Sequence, residues 1–277
     1  MSKVSGKEIA KYWSPTGIDG VECLYGNYYT FAFAPHFHTG FMVGVIERGA
    51  NVFACRGKEQ TASRGDVILL NPEEVHTGRA RDEETGMAVR MLFINPEILN
   101  YVRHAVHGRS ARAPAFAKTI AHDEAAASAL VRLHRALESP ESVLEQECLF
   151  LSVLAQLLMR HSDSSGSDQK TGNENAGIAR VCDYIVEHAS ENVTLDDLAK
   201  VAYLSPFHLL RVFGKKTGLP PHAYQTQVRI HKAKRLLRHD STIAQVALAT
   251  GFFDQAHFSK QFKRYVGITP GQFLARL

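Results

Sequence analysis

The chain has 277 residues, enough for two cores of ordinary size, and its apolar fraction of 45% is normal for a globular protein. Its four cysteines stand far apart without a Cys-x-x-Cys pair, and no run of about 18 apolar residues exists, which excludes a zinc knuckle, a disulfide framework and a membrane span. The net charge of +4 is uneven, since residues 178–277 carry 14 Lys or Arg against 7 Asp or Glu and the preceding residues carry 18 against 21. This imbalance predicts that only the C-terminal part meets a polyanion.

The first predicted domain, residues 1–161, begins with strands. Strand-like runs between about Val21 and Ile94 are each followed by a turn signal, the first of them Arg48-Gly49, and this spacing predicts a small antiparallel barrel or sandwich. The clearest runs are Phe41–Glu47, Val52–Cys55, Val67–Leu70 and Ala88–Ile94.

Helical periodicity follows from about Asp123 to His161. Apolar residues recur at steps of three and four, which predicts two amphipathic helices. The first stripe contains Ala129, Leu130, Leu133 and Leu137, and the second contains Leu144, Cys148, Leu151, Leu154 and Leu158. Such helices either complete the core of the barrel or pair with a second subunit, and we favour a homodimer.

A flexible linker is predicted for residues 162–177, which read SDSSGSDQKTGNENAG. The segment is polar, rich in Ser, Gly and Asn, and lacks apolar periodicity. It separates the first domain from an all-helical domain at residues 178–277.

The C-terminal domain contains an internal repeat. The segments that begin at His208 and His257 share a histidine, a basic residue three positions later, a phenylalanine, a basic cluster, a glycine and a proline. In each copy, a short helix that can be capped by Thr194 or Thr242 precedes a tight turn and a second helix. This is the pattern of a helix-turn-helix, whose second helix enters the major groove of DNA.

The second helix of each copy sorts into an inner and an outer face. The expected core positions are Leu209, Val212 and Phe213 in the first copy and Phe258, Gln261 and Phe262 in the second. The outward positions are the predicted DNA contacts, with arginine and glutamine suited to base edges and the basic residues at helix ends suited to phosphates. They are Pro206, Phe207, Leu210, Arg211, Lys215, Gln255, Ala256, Ser259, Lys260, Lys263 and Arg264.

One continuous helix is predicted for Pro221–Arg238, between the two copies. At ~1.5 Å per residue it spans about 27 Å. It would therefore hold the two reading helices near one duplex turn apart, ~34 Å, so that both enter successive major grooves on one face of the DNA.

These C-terminal motifs resemble the AraC/XylS family of bacterial transcription regulators. The resemblance is carried by Leu198-Ala199…Ser205-Pro-x-His-Leu-x-Arg-x-Phe, by Gly218-x-x-Pro-x-x-Tyr224, and by Gly251-Phe-x-Asp-Gln-x-x-Phe-x-x-x-Phe262-Lys…Gly-x-Thr-Pro270. It implies double-stranded DNA and RNA polymerase as partners, and an N-terminal cupin-like barrel that binds a small effector beside helices that dimerise. The chain departs from the commonest pattern at Thr250–Phe253 and at Ala256-His257, where the differences bear on base preference.

Histidines in the N-terminal domain resemble the ligands of metal-binding cupins. His36 and His38 form a His-x-His pair, which alternation would place on one face of a strand, and His76 stands where a distant ligand is expected. The glutamate of that ligand set is missing, because apolar residues occupy its position. Three interpretations stay open: lining of an effector pocket, a purely structural hydrogen-bonding role, or a three-histidine metal site.

Weaker candidates for the effector pocket are Met42, Phe53, Asn71 and Arg90. Arg90 lies in an otherwise apolar strand, where it would either face inward to pair with a carboxylate effector or belong to an edge strand.

The sequence therefore predicts an α+β protein that regulates transcription by binding specific DNA and responds to a small molecule, with no cofactor. No Ser-His-Asp set, P-loop or paired-carboxylate motif stands out, so we expect no enzyme activity. The alternative is a metal-dependent cupin enzyme or a metal sensor fused to a DNA-binding domain. Free thiols, and an N-terminus without the apolar core of a signal peptide, favour the cytoplasm.

Overall fold

The computed structural model describes residues 6–16, 18–107, 114–138, 143–162, 173–238 and 241–275. The chain forms two compact units, Met1–Ser167 and Asp168–Leu277. The first contains an antiparallel sheet and helices, whereas the described residues of the second form helices without a strand. The predicted α+β class is confirmed.

The sheet of the first unit is antiparallel throughout, and its strands follow the order β1-β2-β8-β4-β6-β9. The second half of β4 also pairs with β5 and β7, and β3 pairs with β7. The strands are β1 Ile9–Trp13, β2 Val21–Tyr28, β3 Ala32–His36, β4 Phe41–Cys55, β5 Lys58–Ser63, β6 Val67–Leu70, β7 His76–Ala80, β8 Met87–Ile94 and β9 Ile120–Ala121.

Strand β4 runs through the turn predicted at Arg48-Gly49, so that prediction is wrong. The register against β8 shifts between Ile46 and Arg48, and Gly49 has a φ of 69°. A bulge with a glycine at positive φ bends a strand without ending it. As a result, the first half of β4 pairs with β6 and β8, and its second half pairs with β5 and β7.

The helices of the first unit are α1 Pro96–His107, α2 Glu124–Ala136 and α3 Val143–His161, of which α1 is absent from the sequence prediction. They cover one face of the sheet, where alternate residues of β4, Phe41, Val43 and Val45, join a core with Leu133 and Leu154. The alternation leaves the residues between them, such as Met42, on the opposite face of the sheet.

The apolar stripe predicted on α3 does not form one face. Leu154 and Leu158 are buried, but Cys148 and Leu151 are exposed, and the side chain of Leu144 lies outside the described residues. The buried face of α3 is instead formed by Phe150, Val153, Leu154, Leu157 and Leu158. The prediction failed because the helix is apolar on more than one face, so that periodicity alone does not select the buried one.

The second unit contains α4 Asn173–Glu187, α5 Leu195–Ala202, α6 Pro206–Thr217, α7 Pro221–Leu236, α8 Ile243–Ala249, α9 Gln255–Val266 and α10 Pro270–Leu274. Helix α4 begins within the predicted linker, so residues 173–177 are a helix and not a flexible segment; residues 163–172 lie outside the described residues. The burial of Ile178 and Val181, one and two turns later, stabilises this first turn.

The predicted caps of the second unit are confirmed. Thr194 and Thr242 each accept a hydrogen bond from the third residue of their helix, and that residue's side chain returns to the backbone of the threonine. Ser205 and Asp254 cap α6 and α9 in the same manner through one side-chain bond. Each cap contributes ~1 kcal/mol, so the starts of all four helices are fixed locally.

Candidate functional site

Helix α6 presents most of its predicted DNA contacts to solvent. Pro206, Leu210, Arg211 and Lys215 are exposed, whereas the side chain of Phe207 lies outside the described residues. A nitrogen of the Arg211 guanidinium lies 3.3 Å from Nδ1 of His208 on the preceding turn. The helix therefore offers one arginine and an apolar patch at its N-terminal half, and two exposed lysines, Lys215 and Lys216, near its end.

Helix α9 presents a more polar surface. Gln255, Ala256, Lys260, Lys263 and Arg264 are exposed. Ser259, the remaining predicted contact, is half-buried. Glutamine can bond an adenine edge, and the basic residues of the last turn suit phosphates.

Large apolar side chains hold both helices on the unit. Leu209 and Phe213 of α6 are fully buried, as are Phe258 and Phe262 of α9. Val212 and Gln261, predicted as core residues, are only half-buried, since they sit at the edge of the buried face.

The turns that precede the two helices carry exposed aromatic rings that the sequence prediction overlooked. Phe253, immediately before the cap of α9, is 90% exposed, and Tyr203, before α6, is 85% exposed. Tyr203 has a φ of 57° and ends α5 in the left-handed conformation, a position that glycine more often fills. The guanidinium of Arg180 lies over the ring of Tyr203, 5.2 Å from the ring centre, and this cation–π contact holds the ring in place. Large apolar groups left in water at such a position mark an interaction surface.

Arg229 of α7 joins the two halves of the second unit. Its Nε donates to the carbonyl of Ala189 at 2.6 Å and its Nη2 to the carbonyl of Glu191 at 2.9 Å, both in the segment after α4. Its Nη1 donates to the carbonyl of Gly251 at 2.7 Å, in the turn before α9. Charge-assisted hydrogen bonds are about twice as strong as neutral ones. The Arg229 side chain therefore holds the turn before α9 against the segment that follows α4.

Gly251, in the turn before α9, packs closely against the backbone of Ser190 in the segment after α4. Its φ is 81°, and a Cβ atom added there would lie 2.5 Å from the carbonyl oxygen of Ser190. Only glycine combines that backbone conformation with that approach. Position 251 therefore sets where α9 begins relative to the rest of the unit.

His36, His38 and His76 of the first unit come together, although His38 and His76 are 38 positions apart in the chain. His36 lies directly opposite His76 in the pairing of β3 with β7, and their ring centres are 4.2 Å apart. Strand β3 ends at His36, so His38 follows the strand and is not on it; its ring centre still lies 4.9 Å from that of His36 and 5.1 Å from that of His76. His36 and His76 are buried and His38 is half-buried.

Burial keeps the rings of His36 and His76 neutral. Together with the neighbouring His76, it lowers the pKa of His36 to about 3, and burial lowers the pKa of His76 to about 4. Nδ1 of His36 lies 2.8 Å from the backbone carbonyl oxygen of Ala34. Nδ1 of His76 lies at the same distance from the backbone carbonyl oxygen of Glu74. The ring of His36 also makes a hydrogen bond to the backbone of His76. The neutral ring of His76, with its proton on Nδ1, keeps an acceptor lone pair on Nε2.

Two of the other pocket candidates share the face of the sheet that carries the histidines. Met42 lies opposite Phe93 in the pairing of β4 with β8, and the ring of Phe93 is 4.6 Å from that of His38. Phe53 lies two residues before Cys55, which pairs with His76, so its side chain points to the same side as the histidine. The sequence prediction missed Phe93 as a residue of this face. Because Leu92 and Ile94 point to the helix-covered face, strand alternation already places Phe93 on the opposite face, with the histidines.

Arg90 and Asn71 do not belong to this face. Arg90 lies opposite Val45 of the helix-covered face, its Nε is 2.8 Å from a carboxylate oxygen of Glu47, and its guanidinium stacks 4.7 Å from the ring centre of Tyr25. Strand β8 lies between β2 and β4, so Arg90 is not on an edge strand either. The prediction of an inward cation for a carboxylate effector is therefore wrong, because Arg90 already has its carboxylate.

Asn71 follows β6, and its side chain has a structural role. Its Oδ1 accepts from the backbone nitrogen of Phe116 at 2.7 Å, and its Nδ2 donates to the carbonyl of Phe116 and to a carboxylate oxygen of Glu74 at 3.0 and 3.1 Å. Each polar atom of the amide therefore has a protein partner.

Among the described residues, none of the helices combines the length and apolarity needed to cross a membrane.

Two family models match the chain. An AraC-like ligand binding domain matches residues 20–154, and a helix-turn-helix domain matches residues 198–276. The first match runs from the start of β2 into α3 and leaves out β1, and the second runs from within α5 through α10.

Three relatives are similar to this chain over more than four fifths of its length. YbfI of Bacillus subtilis (strain 168), described as an uncharacterized HTH-type transcriptional regulator, is 34% identical over 227 residues, 81% of each chain. RhaS of Pectobacterium carotovorum, a transcriptional activator, is 25% identical over 248 residues, 86% of each chain. The arabinose operon regulatory protein of Escherichia coli (strain K12) is 26% identical, covering 85% of this chain and 80% of its own.

The solved structures of ToxT from Vibrio cholerae share the fold. A variant of apo ToxT has a TM-score of 0.62 at 14% identity, covering 94% of this chain and 98% of its own. ToxT bound to an unsaturated fatty acid has a TM-score of 0.58 at 15% identity, covering 100% and 98%. At these identities the likeness concerns the fold alone.

Proposed function

Since this chain belongs to the AraC family of DNA-binding transcriptional regulators and carries an N-terminal ligand-binding domain, we propose that α6 and α9 are the helices with which it reads its operator. The observation that carries this proposal is the duplicated arrangement itself. Two capped helices with exposed basic faces stand on one compact unit and are connected by α7, whose 16 residues span about 24 Å.

The two reading helices differ in the chemistry they offer. In α6, Arg211 is the polar base reader, while Pro206, Phe207 and Leu210 supply apolar contacts for thymine methyl groups. In α9, base readout falls to Gln255, Ala256, Ser259 and Lys260. Lys215, Lys263 and Arg264 bind phosphates and position the unit on the duplex. Phe253 adds an apolar contact beside the first turn of α9.

We expect Arg211→Ala and Lys260→Ala to weaken binding to the preferred operator, selected from a random DNA library, by about 5- to 150-fold each. A lost base contact is worth ~1–3 kcal/mol. Arg211→Ala should also relax the base preference at one position, while Lys263→Ala should weaken all sequences equally and lower the salt slope by about one. The assay is a gel-shift titration at several salt concentrations.

Matched controls for this test are Arg132→Ala and Lys118→Ala, which remove the same charges from exposed positions of the first unit. They should leave the affinity within a factor of two. Equal affinities of all five variants, or binding of the wild-type chain without sequence preference, would refute the proposed interface.

The effector is proposed to bind on the interior face of the sheet, defined by His36, His38, Met42, Phe53 and His76, with Phe93. This face combines apolar walls with a few polar groups, which is the usual composition of a small-molecule site. The relatives of this chain are transcriptional regulators, so we propose that this face senses a small molecule and does not catalyse a reaction.

We further propose a homodimer that acts in the cytoplasm and contacts RNA polymerase. The exposed residues on one side of α3 are Cys148, Leu151 and Met159, with the half-buried Ala155 between them at helical spacing, and Leu151 is 42% and Met159 60% exposed. Exposed apolar stripes of this kind mark protein contacts. The mass of the complex that forms on the operator tests the dimer, because a dimer adds two chains to the DNA. Transcription from the selected operator with purified RNA polymerase tests the contact with the polymerase.

A further inference from the structure

The cluster of His36, His38 and His76 has the arrangement of a metal site. One ring nitrogen from each histidine lies within 4.8 Å of the other two. A tetrahedral ion with nitrogen ligands at ~2.0–2.1 Å holds those nitrogens about 3.3 Å apart, so binding requires the three nitrogens to approach one another by at most about 1.5 Å. We propose that these histidines bind one divalent transition-metal ion of the zinc class and leave a fourth position open.

The hydrogen bonds of the two buried rings support this assignment independently. Nδ1 of His36 and Nδ1 of His76 both lie 2.8 Å from a backbone carbonyl oxygen, those of Ala34 and Glu74. A carbonyl oxygen only accepts, so Nδ1 of each ring carries a proton and Nε2 is the nitrogen that can bind a metal, although the ring of His36 also makes a hydrogen bond to the backbone of His76. Histidines that bind metals have this second hydrogen bond, which fixes the tautomer and the orientation of the ring.

The backbone fixes where the rings stand. His36 and His76 are directly opposite on neighbouring antiparallel strands, which places their side chains on one face at the shortest cross-strand separation. His38 is tied in place through its own carbonyl, which accepts from the backbone nitrogen of Glu73 at 2.8 Å. The loop that leads into β7 is thereby attached to the segment that carries His38.

The chemistry of the donor set indicates which ions fit. The cluster offers three imidazoles without a carboxylate, because the carboxylate of nearby Glu74 is held by the guanidinium of Arg56 at 2.8 Å and by Asn71. Neutral nitrogen ligands suit zinc, iron, nickel and copper, whereas magnesium and calcium require oxygen ligands. Three protein ligands also leave room for an exogenous group.

The surroundings make the open position suitable for a ligand. The ring of Phe33 stacks on His36 at 5.6 Å, and the ring of Phe93 lies 4.6 Å from that of His38. A bound cation beside these apolar walls would attract a small anionic or chelating molecule. This inference rests on the proposed effector role of the interior face and names its chemistry: a transition-metal ion, alone or with a molecule that coordinates it.

The test is a titration of the full chain, first stripped with a chelator, with Co²⁺ and with Zn²⁺. We expect one ion per chain, visible absorption typical of four-coordinate Co²⁺, and displacement of Co²⁺ by Zn²⁺. His38→Gln and His76→Gln should weaken Co²⁺ binding at least tenfold, while His104→Gln, an exposed histidine of α1, should not change it. His38 is half-buried, so its variant stays informative even if His76→Gln fails to fold.

Absence of binding, or equal binding by wild type, His38→Gln and His104→Gln, would overturn the metal site. Operator affinity, measured on the same samples with and without Zn²⁺, separates this inference from the proposed function. Specific DNA binding without metal binding refutes only the site. Metal binding without specific DNA binding refutes only the proposed DNA-reading role. Metal binding that leaves the operator affinity unchanged refutes the effector role of the ion.

Discussion

Arg229→Met is expected to lower the free energy of unfolding of the second unit by about 3 kcal/mol and to weaken operator binding at least tenfold. The substitution keeps an apolar stem of similar length but removes the donors to the carbonyls of Ala189, Glu191 and Gly251. Hydrogen bonds from a charged group are worth ~1.5–3 kcal/mol each, and water recovers part of that loss at a half-buried position. Denaturant unfolding followed by circular dichroism measures the change.

The matched control is Arg235→Met, on the same helix and exposed to solvent. Surface substitutions of this kind change stability by less than about 0.5 kcal/mol. If Arg229→Met unfolds at the same denaturant concentration as Arg235→Met, the guanidinium does not hold the turn before α9 and its assigned role is wrong.

Gly251→Ala is expected to cost at least about 3 kcal/mol and to abolish specific DNA binding. Its Cβ would lie 2.5 Å from the backbone oxygen of Ser190, and a non-glycine residue at a φ of 81° carries a further ~1–2 kcal/mol of strain. Relief of the contact requires the turn and the start of α9 to move away from Ser190. Unfolding and gel-shift measurements on the purified variant report both effects.

Gly214→Ala is the control for that experiment. Gly214 lies in the interior of α6, and a Cβ added there meets nothing within 4 Å. Alanine should therefore stabilise the helix by ~0.5–1 kcal/mol. Equal and small effects of the two substitutions would show that the backbone at position 251 is free to adapt.

The second unit was largely predictable because its signals are local. Thr194, Thr242, Ser205 and Asp254 each stand directly before the first residue of a helix and accept a hydrogen bond from the residue three positions later. Apolar periodicity identifies the buried face within one or two turns. Arg229 was not predictable, because its partners are backbone carbonyls 22, 38 and 40 positions away, and carbonyls leave no mark in a sequence.

The first unit shows where local signals mislead. Arg48-Gly49 has the composition of a turn, but strand pairing on both sides carries β4 through it as a bulge. Arg90 reads as a lone cation in an apolar strand, and only the register against Val45 places it beside Glu47 on the helix-covered face. The three histidines could be nominated from their residue types, but their convergence depends on the pairing of β3 with β7.

The stripe on α3 illustrates a different reason for failure. Leu151 and Leu154 are equally apolar and three positions apart, yet one is 42% exposed and the other is buried. The choice between them depends on how the helix packs on the sheet, which is a tertiary property. The same exposed residues are those that we propose as the contact between two subunits.

The central proposal, that α6 and α9 form one DNA reader connected by α7, is tested most directly by footprinting the full chain on its selected operator. We predict two protected major-groove segments on the same face of the duplex, about one helical turn apart. The Arg229→Met variant should lose the segment read by α9 first. A single protected segment in the wild-type complex, or two segments on opposite faces of the DNA, would contradict the proposal.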